Sequence, residues 1–373
     1  MKVFDAGGCL VCVNDSGIPD RVYISLTLGI GMAARWLTVN EKEVFIGSAT
    51  AKVYFNYLKA ALRKKYGVDP DVQVSMNAAC LYWESRGENC PMEIQQVLQE
   101  LFAPIDEELF FYEKARTAQR YERNYKNLEF RGRMKMMEFS NHNKDFQFNL
   151  LSVDLLETDL KHVQNMREYL FVPENMFLFI HGKVKADGLR DWRFPEKDGG
   201  DVRFHYSIDD YHFLQDEAFN KASKGDYQCG CIKFERSPVT TDLSMEHAVL
   251  SIIGEILFAG FHNVEVDPLD ASITYFERPT KEYKYEAFTC LTEEHVEKAR
   301  QAILQRFDVF VERSPKLFTE QVGRFYFDKI DIYVWLEKMK SMSLSDIHAF
   351  LDSRDYKARE GYVNFYKERA LYA

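Results

Sequence analysis

Short apolar runs of strand length alternate along the chain with longer stretches of helical spacing, and the alternation occurs twice. Strand-like runs cover Gly8 to Val13, Val22 to Ile30, Val72 to Ala78 and Leu81 to Ser85. Apolar positions at three- and four-residue steps predict helices from Glu41 to Tyr66 and from Pro91 to Phe102. A long helical region from Asp106 to about His142 follows, then shorter helices to Tyr169 and a closing strand from Asn175 to Ile180. Beyond it, strands at Val202 to Ser207, Gln228 to Glu235, Ala271 to Glu277 and Tyr283 to Thr289 alternate with helices at Leu243 to Phe258, Glu293 to Arg313 and further on. The pattern predicts an α+β fold in which helices cover a largely antiparallel sheet.

Short sequence echoes tie the two parts together. Glu113-Lys114-Ala115-Arg116 returns as Glu297-Lys298-Ala299-Arg300, 184 residues later, each inside a long amphipathic stretch. Thr158-Asp159-Leu160 precedes a helical turn and the strand Asn175 to Ile180; Ser345-Asp346-Ile347, 187 residues on, precedes a similar turn and the strand Gly361 to Tyr366. A hydroxyl or carboxylate in such a place accepts early backbone N–H groups and suits the positive end of the helix dipole. Two ordered echoes at nearly one offset predict a duplicated unit. Lys185 to Gly200, with Gly188, Pro195, Gly199, Gly200 and several charges, reads as the linker, giving domains 1–190 and 191–373.

Composition narrows the function classes. The chain of 373 residues is 46% apolar and 28% charged, enough to bury a large core. Its 48 basic against 58 acidic side chains give a formal charge of -10, which opposes approach to nucleic acid phosphates and anionic lipid surfaces. The apolar run near the start is cut short by Asn14 and Asp15, and the longest, Ala248 to Phe261, carries Glu255, so neither fits a secretory or membrane-spanning segment; a cytoplasmic protein is expected. Seven scattered cysteines suit reduced, buried thiols; Cys9 with Cys12 and Cys229 with Cys231 each lack a second close ligand pair for zinc.

Three segments carry a resemblance to a known family. They are Thr158-Asp159-Leu160-Lys161; Tyr169-Leu170-Phe171-Val172-Pro173-Glu174-Asn175-Met176 with the strand ending at Gly182; and Asn77-Ala78 with Tyr82. Together with the duplicated halves they resemble the pitrilysin, insulinase and mitochondrial processing peptidase family. More narrowly, the order of Asn40 to Tyr66, the Asn77 strand and the Glu113 to Arg116 helix is similar to the peptidase-like helper subunit of sactipeptide bacteriocin maturation, of the subtilosin type. The resemblance implies two similar halves facing each other across a chamber that holds a peptide.

Enzymes of that family hold zinc through an inverted His-x-x-Glu-His motif on the first long helix, with a distal Glu on a later helix. The first histidine of this chain is His142, so residues 1–141 contain none. At the motif's position the chain reads Glu43-Val44-Phe45-Ile46-Gly47-Ser48-Ala49-Thr50-Ala51, and Glu122 is the one carboxylate near the distal ligand's place. The family also grips substrate with an Arg and a Tyr seven residues apart. Tyr275 stands for the Tyr, but Pro268 occupies the Arg position and Arg278 is too close in sequence to replace it. His205 and His212 flank Asp209 and Asp210, a spacing that reads as polar surface more readily than as a metal site.

The resemblance therefore implies a chain with no catalytic residue and no metal of its own. Expected is the non-catalytic subunit of a heterodimeric zinc peptidase, with zinc in a homologous partner and a peptide or leader peptide as substrate. Tyr275, Asn77, Ala78 and Tyr82 are the candidate substrate-binding residues. A scaffold or peptide-binding protein without peptidase activity in any complex is the rival expectation.

Overall fold

The computed structural model describes residues 1–15, 20–127, 129–132, 134, 152–184, 189, 202–204, 227–234, 242–258, 262–267, 272–277, 291–353 and 359–365. The chain forms two compact units that are not contiguous in sequence. The first comprises residues 1–122, 145–207 and 310–328; the second comprises 123–144, 208–309 and 329–373.

In the first unit a two-residue turn through Gly7 and Gly8, both at positive φ, joins β1 (Lys2–Ala6) to β2 (Cys9–Asn14). This hairpin matches the twist of its strands and suits a glycine pair. Next come β3 (Arg21–Leu28), β4 (Trp36–Val39) and β5 (Lys42–Phe45). The helix expected from Glu41 begins only at Thr50: Asn40 and Glu41, at φ 47° and 65°, turn the chain back so that β5 pairs with β4. A loop with both central residues at positive φ usually carries Asn-Gly, so Asn-Glu hid the turn from sequence reading.

Helix α1 (Thr50–Tyr66) then lays Val53, Tyr54, Tyr57, Leu58, Ala61 and Leu62 into the core. Each such aliphatic side chain contributes about 1.5–3 kcal/mol when fully buried. Tyr54 stacks on Tyr57 at 5.7 Å between ring centroids and packs against Phe171 at 5.6 Å. The remaining elements are β6 (Asp71–Val74), β7 (Ala79–Arg86), α2 (Cys90–Phe102), α3 (Glu107–Asn124), α4 (Ser152–Glu157), α5 (Leu160–Leu170), β8 (Met176–Gly182) and β9 (Val202–Phe204). Six strands form one sheet in the order β1-β2-β8-β3-β7-β6, antiparallel except for β2 with β8.

The second unit contains β10 (Tyr227–Lys233), α6 (Leu243–Leu257), β11 (His262–Asp267) and β12 (Ser272–Glu277). Its later elements are α7 (Glu293–Arg313, whose last turn counts with the first unit), α9 (Ile332–Ser341), α10 (Leu344–Asp352) and β13 (Arg359–Phe365). Helix α8 (Pro315–Phe327), between α7 and α9 in the chain, belongs to the first unit and lies on β3, β7 and β8.

The two halves are alike in topology. The second sheet runs β11-β12-β10-β13, and the first contains the same arrangement as β6-β7-β3-β8, with a helix between corresponding strands in each. Helices α3 and α7 hold the Glu-Lys-Ala-Arg echo, and in both the Glu pairs with the Arg three residues on. Helices α5 and α10 both begin with a capping box, Asp159 with His162 and Ser343 with Asp346. The cap of α10 is thus Ser343 rather than Ser345, which brings the second echo to the same 184-residue offset as the first. The linker Lys185 to Gly200, apart from buried Leu189, and the strand Tyr283 to Thr289 lie outside the described residues.

Candidate functional site

Asn77 and Ala78 lie in the tight turn that joins β6 to β7, and Tyr82 lies four residues along β7, at the other end of the β6 pairing. Ser75 N–H donates to the Ala78 carbonyl at 2.8 Å, and Ala78 N–H donates to Ser75 Oγ at 3.2 Å. The loop ahead of β4 braces this turn, with Met32 N–H on the Ser75 carbonyl and Ala33 N–H on that of Met76, both at 2.9 Å. Ala78 is buried beneath it.

Tyr82 lies opposite Ser25 of β3 on one side and Asp71 of β6 on the other. Strand β7 therefore has neighbours on both sides and cannot accept a further strand; β6 ends the sheet. The strand that carries Tyr82 is thus internal to the sheet, and the free edge among the described residues on this side is β6.

Helix α8 supplies the charged groups of this corner. Asn77 Nδ2 donates to Asp328 Oδ1 at 3.1 Å, whereas Asn77 Oδ1 is closed off from solvent and makes no hydrogen bond. Burial pushes the Asp328 carboxyl above its ordinary range, against the pull of Arg324 and of the Asn77 hydrogen bond. Glu320, one helical turn before Arg324, is raised by burial as well; its Oε1 lies 3.8 Å from Arg324 Nε.

Nearer the edge, Asp71 sits between two lysines, Lys316 Nζ at 2.7 Å and Lys59 Nζ at 3.0 Å. Burial opposes its ionisation, but the hydrogen bonds from Lys316 and Lys59 outweigh it and hold the carboxyl below its usual range. Lys316 also lies 5.6 Å from the centre of the Tyr82 ring, and burial raises that phenol to about 12, with Asp71 and Glu320 adding to the rise. Paired charges around a sheet edge can order an extended chain.

Tyr275 belongs to the second unit, on β12, and is 5% exposed. Its ring stacks on Phe258 at 4.6 Å and fills the space above Gly230 of β10, where a Cβ would overlap it. The stretch at the family's zinc motif is divided between β5, a turn and the start of α1; Glu43 is exposed, and Ser48, Ala49, Thr50 and Ala51 are buried. Glu122 is exposed near the end of α3. Among the described residues no group of three or more His, Cys, Asp or Glu side chains is placed to hold a metal ion. The six described cysteines are buried and form no disulfide with one another; burial raises the Cys9 and Cys90 thiols to about 12. His205, His212, Asp209 and Asp210 lie outside the described residues. No described helix is long and apolar enough to cross a membrane.

Sequence reading missed Asp71, Lys316, Glu320, Arg324 and Asp328. Four of these five sit on or just after a helix more than 230 residues from the β6–β7 turn, and no local pattern joins them to it.

No family profile and no curated protein matches the sequence. Solved structures do match in fold. A chain described as an M16-like peptidase from Alicyclobacillus acidocaldarius aligns over 97% of this chain and 96% of its own, at 13% identity and a TM-score of 0.71. A protease from Helicobacter pylori aligns over 97% and 98%, at 11% identity and a TM-score of 0.67. A chain of complex III2 from Candida albicans aligns over 97% and 94%, at 8% identity and a TM-score of 0.67. The polypeptide thus has, along almost its whole length, the two-halved fold of the M16-like peptidases, the pitrilysin fold.

Proposed function

We propose that this protein is the non-catalytic subunit of a heterodimeric zinc peptidase that processes a peptide or leader peptide. One observation carries the reading: an M16-like fold spanning 97% of the chain is combined with a sequence that has no histidine in residues 1–141, where the fold's enzymes hold their metal. Zinc and the attacking water then belong to a homologous partner, and this chain supplies half of the chamber that encloses the substrate. The narrower resemblance to the helper of subtilosin-type maturation makes the leader or core of a ribosomally made peptide the substrate, in the cytoplasm.

Edge strand β6 is the proposed substrate contact, because main-chain pairing to an open edge holds an extended peptide without catalytic side chains. Asn77, Ala78 and Tyr82 shape the hairpin that presents it. Tyr275 is retained as the candidate contact of the second half, without its usual Arg companion.

The rival reading, a scaffold without peptidase activity in any complex, draws on the likeness to a complex III2 chain. Association separates the two. The chain is co-expressed with a homologue bearing an intact His-x-x-Glu-His motif from the same gene neighbourhood, and the mass of the purified species is measured. A one-to-one heterodimer is the expected result; two separate proteins under all conditions would favour the scaffold.

A further inference from the structure

Between α1 and α3 in the first unit lies a cleft of about 400 Å³ whose lining charge opposes that of the whole chain. Lys59, Arg63 and Lys64 line it from α1, and Arg116 and Arg120 from α3; Glu113 is the one acidic residue of the lining. Five cations against one carboxylate stand out in a chain of formal charge -10.

Part of this charge has a local cause. Arg63 and Lys64 fall in the last turn of α1, where cations complement the helix dipole. Lys64 also reaches Asp106 at 3.4 Å, and Arg116 is bonded to Glu113 at 3.0 Å. Lys59 is paired as well, with Asp69 at 3.7 Å and Asp71 at 3.0 Å. Arg63 is exposed and has no hydrogen-bond or ion-pair partner among the described residues. Arg120 is aimed across the cleft at α1 by a 2.8 Å hydrogen bond to Asn56 Oδ1. Lys52, one turn before Asn56, is held below the ordinary lysine range by burial and by repulsion from Arg120.

The cleft also adjoins the sheet edge. Lys59, part of its lining, bonds Asp71 at the start of β6 at 3.0 Å, so one side chain separates the cleft from the strand proposed to pair with peptide.

We infer that the α1/α3 cleft is a subsite for acidic side chains of a peptide whose backbone pairs with β6. This rests on the peptide-holding reading above and deepens it by naming the substrate class: an extended segment with a cluster of Glu or Asp beside its strand-pairing residues. Arg63 is the side chain positioned to meet the incoming carboxylate, Arg120 the fixed cation at the floor.

Fluorescence anisotropy on the full chain tests this with two labelled peptides of one apolar, extended sequence, ending in three Glu or in three Gln. The Glu peptide is expected to bind about tenfold tighter at low salt, an advantage that shrinks as salt screens the charges. Arg63→Glu should erase the advantage and leave the Gln peptide's affinity unchanged, with an unaltered melting temperature showing that the fold persists. Equal binding of the two peptides by the wild-type chain, or an advantage that survives Arg63→Glu, overturns the subsite while leaving edge pairing intact. Val72→Pro, which removes a main-chain donor of β6, separates the two ideas: it should weaken both peptides. If neither peptide binds the wild-type chain, edge pairing itself fails, and the subsite with it.

Discussion

At the residue scale, the corner around Asn77 depends on how closely α8 approaches the sheet. Gly323 faces Thr27, and an added Cβ would overlap the Thr27 hydroxyl. On the same face, Ser25 Oγ donates to the Thr319 carbonyl at 2.7 Å. Gly323→Ala should cost about 1–3 kcal/mol, the usual cost of overpacking, read as a lower denaturation midpoint at unchanged slope. Asp328 carries a pH signature. Its folded value lies above the ordinary 3.8, so the folded state prefers it protonated, and its contribution to stability falls as pH rises through that interval. Asp328→Asn keeps an acceptor for Asn77 and removes the charge. The variant should therefore gain on the wild type as pH rises above 3.8 in thermal melts; a growing deficit would show that the Arg324 pair dominates. Asn77 and Tyr82 were singled out in the sequence by the resemblance alone. Their charged companions were not, because Asp328 meets Asn77 only through tertiary folding across 251 residues.

At the element scale, local chemistry explains both the successes and the misses. Glu293 to Arg313 shows an apolar face at helical spacing and is a helix over that span; Leu243 to Phe258 ends one residue earlier than its pattern suggests. The hairpin at Asn40-Glu41 was missed because its turn lacks the glycine that marks such loops, and α1 was consequently drawn nine residues too long at its start. Strand β1 was missed although Gly7-Gly8 announced its turn, because its burial is slight and its pattern weak. Strand β8, buried at every position, holds His181, with Asn14 Nδ2 3.1 Å from its Nδ1 and the Phe318 ring at 5.3 Å. Burial lowers the imidazole below 6.5, so the unfolded chain takes up a proton before the folded one does. Stability is then complete above pH 6.5 and declines as pH falls toward the depressed folded value. Replacing His181 with Phe should flatten that segment of the melting profile; an unchanged slope would place the acid sensitivity elsewhere.

At the scale of the whole molecule, the duplication was readable because helix caps and a four-residue helical motif survived in both halves. That α8 covers the sheet of the first unit was not, since nothing local in the sequence marks which sheet a helix will cover. A fold shared at 8–13% identity over nearly the full length with an M16-like peptidase, a protease and a complex III2 chain shows how little of the sequence that architecture prescribes. Function is tied to far fewer positions, and residues 1–141, where the resemblance places a zinc motif, contain no histidine. The most direct test is to purify the chain, its zinc-motif homologue and their mixture, and to measure zinc content and cleavage of the neighbouring precursor peptide by each. The helper assignment predicts cleavage by the mixture alone, with zinc only in the homologue. Cleavage by this chain by itself, or stoichiometric zinc bound to it, would contradict the assignment.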